Sequence, residues 1–135
     1  MNIYLVIILF VLIGEYLLES AVEFLNVKHA SSDLPGEFTD FYDAGKYSLS
    51  QRYLKETAIF HIAKDTVFLS VTLLFILSGF FNVIDGLARG LNAGYILTAL
   101  VFGGVLLLIT HLFNIPFSAY RTFYIEQKYG FNRTT

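Results

Sequence analysis

Apolar and polar positions fall in long blocks along this chain. From Ile3 the sequence is apolar to Leu18, interrupted by Glu15. Thr66–Ile84 carries no charged residue, and no Asp, Glu, Lys or Arg occurs between Arg89 and Arg121. A helix rising ~1.5 Å per residue crosses the ~30 Å hydrocarbon core of a bilayer in ~20 residues. The last block is long enough to span with a turn or two to spare. The pattern predicts an all-α, integral-membrane chain with three transmembrane helices and a C-terminal amphipathic juxtamembrane helix. The spans are expected over about 3–25, 62–84 and 93–115, the first loop over 26–61 and the juxtamembrane segment over 116–135, all in one membrane domain, 1–135.

The segments between the apolar blocks are punctuated as loops. SSDLPGEFTDFYDAGKYSLS holds Pro35-Gly36, a tight-turn signal, and Ser48 or Ser50 is placed to cap the helix that follows. Tyr47, Tyr53, Leu54, Ala58, Phe60 and Ile62 form an apolar face leading into the second span. Asn82–Asn92 reads as a short turn, and Gly103-Gly104 in the third span as a close-approach surface. Pro116 lacks an N–H and its ring meets the Leu112 carbonyl, so it should kink or end the third span. Phe117, Tyr120, Phe123 and Tyr124 continue at helical spacing, as at a membrane interface. Lys128 followed by Gly130 is a helix stop.

Charge refines this picture. Glu15, Glu19 and Glu23 lie at i, i+4 and i+8 on one helical face. They read either as the solvated side of a helix leaving the bilayer or as an acidic stripe lining an internal aqueous space, the setting in which an intramembrane carboxylate is tolerated. His61 and Asp65, one turn apart, are placed to pair with each other, and without further ligands they make no metal site. His111 and Asn114 are polar groups near the end of the third span, suited to interhelical hydrogen bonds or a cavity wall. Lys28, Lys46, Arg52, Lys55 and Lys64 cluster around the first loop, Arg89 stands in the second, and Arg121, Lys128 and Arg133 in the tail. Positive-inside counting therefore predicts the N-terminus outside and the C-terminus cytoplasmic. That topology puts the sequon Asn132-Arg133-Thr134 on the face opposite to glycosylation.

Composition adds exclusions. Residues are 56% hydrophobic and 15% charged, there is no cysteine, and the net charge is −2. Disulfides and thiolate metal sites are absent, and nothing favours nucleic acid. Met1-Asn2 leads into the apolar stretch with no basic leader, so the first helix is expected as a retained span.

The tail carries one further pattern. From Pro116 it reads PFSAYRTFYIEQKYGFNRTT, which resembles the PxSxYxTFxIExKxGFNxxT signature of the type I CAAX prenyl endopeptidases, integral-membrane zinc metalloproteases. Leu34-Pro35 with Tyr47, Ser50 and Tyr53 is similar to that family's LP…YxxSxxY segment. The resemblance covers the amino-terminal third of such an enzyme. It implies a ring of transmembrane helices around a large chamber, with a zinc site on the cytoplasmic side where metal-bound water attacks a scissile carbonyl and a Glu is general base. On this reading Pro116, Ser118, Tyr120, Thr122, Phe123, Glu126, Gly130, Phe131, Asn132 and Thr135 are structural residues of the motif. Glu15, Glu19, His111, Asn114 and Arg121 are candidates to line the chamber, with Arg121 and Glu126 pairing with downstream segments.

None of His29, His61 and His111 sits in the HExxH that such an enzyme uses. No catalytic residue, no metal site and no cofactor are therefore expected in this chain, zinc being implied for the full-length family member. The expected partners are the lipid bilayer and the remaining catalytic part of the protease or other membrane helices. The chain is expected to be a fragment, a truncated product or a degenerate relative, inactive alone. Two other classes stand beside this: a free-standing three-span assembly or regulatory partner, and a transporter or channel subunit using Glu15 and His111.

Overall fold

The computed structural model describes residues 2–31, 43–92 and 94–131. Among them the chain is helical throughout: α1 (Ile3–His29), α2 (Ala44–Ser78), α3 (Phe80–Gly90) and α4 (Gly94–Tyr120), which runs on without a break into a π-helical stretch, Arg121–Glu126. Helices α1, α2 and α4 with its π extension are long and apolar enough to cross a membrane. Pro35-Gly36, Leu34, Asn132, Thr135 and the sequon lie outside the described residues.

The helix ends follow local chemistry. The Asn2 side chain accepts the Tyr4 N–H at 3.0 Å and opens α1, and Lys28 and His29 sit in its last turn, where cations complement the helix dipole. Helix α2 begins inside the expected first loop, because Asp43 supplies its cap. Its carboxylate accepts the N–H groups of Gly45 at 2.7 Å and Lys46 at 3.2 Å. Ser48 and Ser50, expected as caps, lie within the helix.

The expected second span, 62–84, is not one helix. Gly79 adopts φ 73°, a left-handed conformation open to glycine, and closes α2 at Ser78. Gly79 then accepts the Asn82 N–H at 2.9 Å as α3 starts. Asn82–Asn92, expected as a turn, is mostly this helix, which ends at Gly90; Asn92, beyond it, has φ 50°. At Gly103-Gly104, expected as a close-approach surface, a Cβ would meet nothing within 4 Å, so no other described helix approaches there. Helix α4 passes through Pro116, so the proline does not end the span. Within α4, the Thr98 and Thr110 hydroxyls donate to the carbonyls four residues back, an internal satisfaction that suits an apolar solvent.

The chain forms two compact units, residues 1–69 with 120–135, and residues 70–119. In the first, α1 and the start of α2 are antiparallel, since Tyr16 meets Thr66 and Glu23 meets His61. The Thr66 hydroxyl donates to the Ile62 carbonyl, so Tyr16 is the donor in the 2.7 Å bond to Thr66. Ala58 and Ile125 are the buried apolar residues among those described in this unit. In the second, Phe75 packs on Phe80 at 4.4 Å and Phe81 at 6.3 Å, and Ile84 and Ala88 are buried.

Candidate functional site: the docked tail

Tyr53, Glu56 and Phe60 lie at i, i+3 and i+7 on α2, so they project from one face. The tail runs antiparallel along that face. Tyr120 stacks on Phe60 with ring centroids 5.4 Å apart, and Tyr124 stacks in turn on Tyr120 at 4.9 Å. One helical turn toward the α2 N-terminus, Glu56 Oε2 accepts hydrogen bonds from Lys128 Nζ at 2.7 Å and Tyr129 Oη at 2.6 Å. Tyr53 closes the row, edge-on to Tyr129 at 5.4 Å and 4.8 Å from the Phe131 ring. Such aromatic pairs contribute ~0.5–1.5 kcal/mol each beyond the area they bury. Ile125, fully buried, is the apolar centre of the segment.

The Glu56 hydrogen bond holds the Lys128 ammonium above its ordinary value, with the carboxylate's charge adding to it. The same carboxylate, helped by burial, raises the Tyr129 phenol by favouring its neutral donor form. Both donors therefore keep their protons at neutral pH.

A Schellman stop ends the tail. Gly130, at φ 73°, donates to the Gln127 carbonyl at 3.1 Å and Phe131 donates to Glu126 at 2.9 Å. Lys128 and Gly130 thus act as the sequence indicated. The π-helical turn has its own consequence. Its wider winding brings residues i and i+5 to the same side, and Arg121 Nε reaches Glu126 Oε1 at 3.4 Å. Arg121 and Glu126, expected to pair with downstream segments, are paired with each other among the described residues.

Beside the tail lies a cavity of about 380 Å³ lined by Arg121, Glu23, His61, Thr57, Tyr53, Ser50 and Gln51. Glu23 and His61 also line a second cavity of about 420 Å³ with Glu19, Asp65, Leu18 and Val22. His61 Nδ1 lies 3.4 Å from Glu23 Oε1, so its partner is on α1 and not Asp65. The Thr57 hydroxyl oxygen is buried with no hydrogen-bond partner among the described residues.

The structure distributes the expected site residues unevenly. Tyr120, Arg121, Thr122, Phe123, Glu126, Gly130 and Phe131 lie in the docked segment, Thr122 and Glu126 half-buried and Phe123 exposed. Glu19 reaches a cavity wall, while Glu15 is exposed. Pro116, Ser118 and His111 are exposed on α4, and Asn114 is half-buried with a buried Oδ1 that has no partner among the described residues. Sequence reasoning missed Glu56, the tail's main polar anchor, and the aromatic contacts of Tyr53 and Phe60. Their common face was readable, but their partners are more than fifty residues away in sequence.

Among the described residues, no three His, Asp or Glu side chains converge to hold a metal ion. The described groups do not fit a zinc site.

Comparison with known proteins places this arrangement. Residues 23–135 match the family described as CAAX prenyl protease N-terminal, five membrane helices. The probable CAAX prenyl protease 1 of Schizosaccharomyces pombe is 33% identical over 114 residues, covering 75% of this chain and 24% of that protein. The crystal structure of S. mikatae Ste24p superposes with a TM-score of 0.81 at 28% identity, over 93% of this chain and 31% of the other. The chain thus spans about a quarter to a third of the relatives it matches. Its membrane-length helices and its docked, motif-bearing tail identify it as a member of the CAAX prenyl protease N-terminal family, an integral-membrane domain of that family.

Proposed function

We propose that this domain forms part of the chamber wall of a CAAX prenyl protease-like zinc metalloendopeptidase, whose catalytic groups and zinc reside in the remaining part of the protein. The observation that carries the reading is the row Phe60–Tyr120, Glu56–Lys128 and Tyr53–Tyr129, which fixes the family's motif segment against α2. A segment fixed in this way sets the register at which the chain beyond it leaves the membrane domain. Glu19 and Arg121, at cavities whose walls mix charge and apolar surface, are the wall residues best placed to meet an enclosed aqueous space. Glu15, His111 and Asn114 complete the set through the assembled ring. Basic residues on the start of α2 and on the tail support a cytoplasmic C-terminus, with the N-terminus outside.

Co-expression tests this. The chain is produced with the S. pombe relative lacking its own equivalent membrane domain, and cleavage of a farnesylated CAAX peptide is measured. Restored, zinc-dependent cleavage is expected, with Tyr53→Ala and Glu56→Ala lowering it. If the relative's own domain supplied in trans restores cleavage and this chain does not, the reading fails. Reporter fusions at residue 131 should respond on the cytoplasmic side, and a response outside overturns the orientation.

A further inference from the structure

Helix α3 has an apolar arc wider than its packing requires. At 100° per residue, Phe80, Val83, Ile84, Leu87, Ala88 and Leu91 share one side, and Asn82, Asp85, Gly86 and Arg89 share the other. The unit covers half of that apolar arc: Ile84 and Ala88 are buried, and Phe80 packs on Phe75. The other half is open, with Val83 56%, Leu87 71% and Leu91 60% exposed. On the polar side, Arg89 Nε donates to Asp85 Oδ2 at 2.7 Å, so the two charges answer each other.

A helix lying in water would place polar residues along an uncovered stripe at i, i+4 and i+8. This one places Val, Leu and Leu there. Its position along the chain supplies the occupant. Helix α3 joins the ends of two helices of membrane-crossing length, separated from α2 by Gly79 alone. A few residues further along the chain, Tyr95 and Ile96 at the start of α4 are also exposed. Tyr95, almost wholly exposed, is a residue type favoured where headgroups meet hydrocarbon.

We infer that α3 is an interfacial helix whose Val83–Leu87–Leu91 stripe is seated in the acyl boundary of one leaflet, with the Asp85–Arg89 pair turned to the headgroups and water. The partner of this surface is phospholipid. A short helix with one charged side and one apolar side lies in the interface plane, its apolar face ~5–10 Å into the headgroup–acyl boundary. The Gly79 break lets the chain leave the transmembrane direction of α2 and turn into that plane.

The absence of native cysteine makes the test clean. Val83→Cys, Leu87→Cys and Leu91→Cys, with Asn82→Cys and Gly86→Cys as controls, are spin-labelled in the whole chain reconstituted into phosphatidylcholine vesicles. A Cβ at Gly86 meets nothing within 4 Å, so that control fits. Collisions with dissolved oxygen and with a neutral water-soluble nickel chelate are then compared. The oxygen-to-nickel ratio should be several-fold higher at 83, 87 and 91 than at 82 and 86. Equal ratios on the two sides would place α3 in water. Labels at 83, 87 and 91 shielded from both reagents would mean that protein, whether further helices or a second copy, covers the stripe. Either result overturns the inference.

Discussion

The two units of this domain are held by different kinds of interaction. In residues 1–69 with 120–135, side chains far apart in sequence meet through directional contacts: Tyr16 with Thr66, Glu23 with His61, Glu56 with Lys128 and Tyr129, and the aromatic row from Tyr53 to Tyr124. In residues 70–119 the contacts among the described residues are mostly apolar and local, and an ion pair joins Asp85 to Arg89 a single turn away. Positive φ angles among the described residues are distributed the other way: Gly79, Asn92 and Gly94 lie in the second unit and Gly130 alone in the first. In the second unit backbone geometry does more of the shaping. In the first, distant polar and aromatic side chains select one another, within the membrane-length helices as well as along the tail.

The strongest test of that contrast is at the centre of the tail. Ile125→Ala removes a fully buried side chain and should loosen the docked segment by ~2–5 kcal/mol, the usual range for such a truncation. Trypsin cleavage at Arg121 and Lys128 in reconstituted chain should accelerate at least tenfold, since proteolysis follows the population of the open form. An unchanged rate would mean that the tail is not held by its apolar centre.

Next in size is Glu56→Ala, which leaves the half-buried Tyr129 hydroxyl without its acceptor. A hydrogen bond to a charged group contributes about 1.5–3 kcal/mol. Lys128→Met should do less in the same cleavage assay at Arg121, because the ammonium is well exposed and water screens it. A Lys128 effect as large as the Glu56 effect would reverse the ranking of the two donors.

Much of the second unit's solvent was legible in the sequence, and little of its geometry. The uncharged run after Arg89 announced a membrane helix, but Thr66–Ile84 looked equally continuous, and hydropathy says nothing of the left-handed turn at Gly79 that divides it. The expectation at Asn82–Asn92 failed for a related reason: polar residues spaced along a helix one-half of whose surface is apolar resemble loop punctuation when read singly. In the first unit the motif and the Gly130 stop could be read locally. Glu56 could not be singled out, since its partners Lys128 and Tyr129 follow 72 and 73 residues later. The Arg121–Glu126 pair was hidden because an i, i+5 contact forms only on a π-helical winding that no residue pattern announced.

A smaller effect should come from alkali. Lys128 and Tyr129 both have folded-state values raised above the ordinary ones by Glu56. A raised value means stability present in full below the unfolded value and lost as pH rises through the folded one. The latch should therefore hold through neutral pH and weaken above pH ~10, where free tyrosine and lysine titrate. Tyr129→Phe should flatten this alkaline loss in tryptophan-free chain followed by tail proteolysis with an alkali-tolerant protease. The same loss in Tyr129→Phe and Lys128→Met variants would place its origin elsewhere.

The two units should converge on glycine. Gly79→Ala and Gly130→Ala impose the same left-handed φ of 73° on an L residue, at ~1–2 kcal/mol each. Steric surroundings add little, since a Cβ at 79 meets only Asn82 Nδ2 at 3.6 Å and one at 130 meets nothing within 4 Å. Equal losses in helix melting would show that backbone cost is indifferent to solvent. A much larger loss at 79 would show that the α2–α3 bend carries packing beyond its own conformation.

The least effect should follow Arg89→Gln. The Asp85 hydrogen bond, with its charge, raises the Arg89 guanidinium, but the side chain is exposed and the pair sits on the polar side of α3. Exposed pairs one turn apart contribute little, and salt screens what they contribute. If α3 is held by Ile84 and Ala88 on one flank and by lipid on the other, helix melting in vesicles should stay within error of the parent at low and high salt. A marked, salt-sensitive loss would mean that the second unit, like the first, depends on a directional polar contact, and the contrast between them would fall.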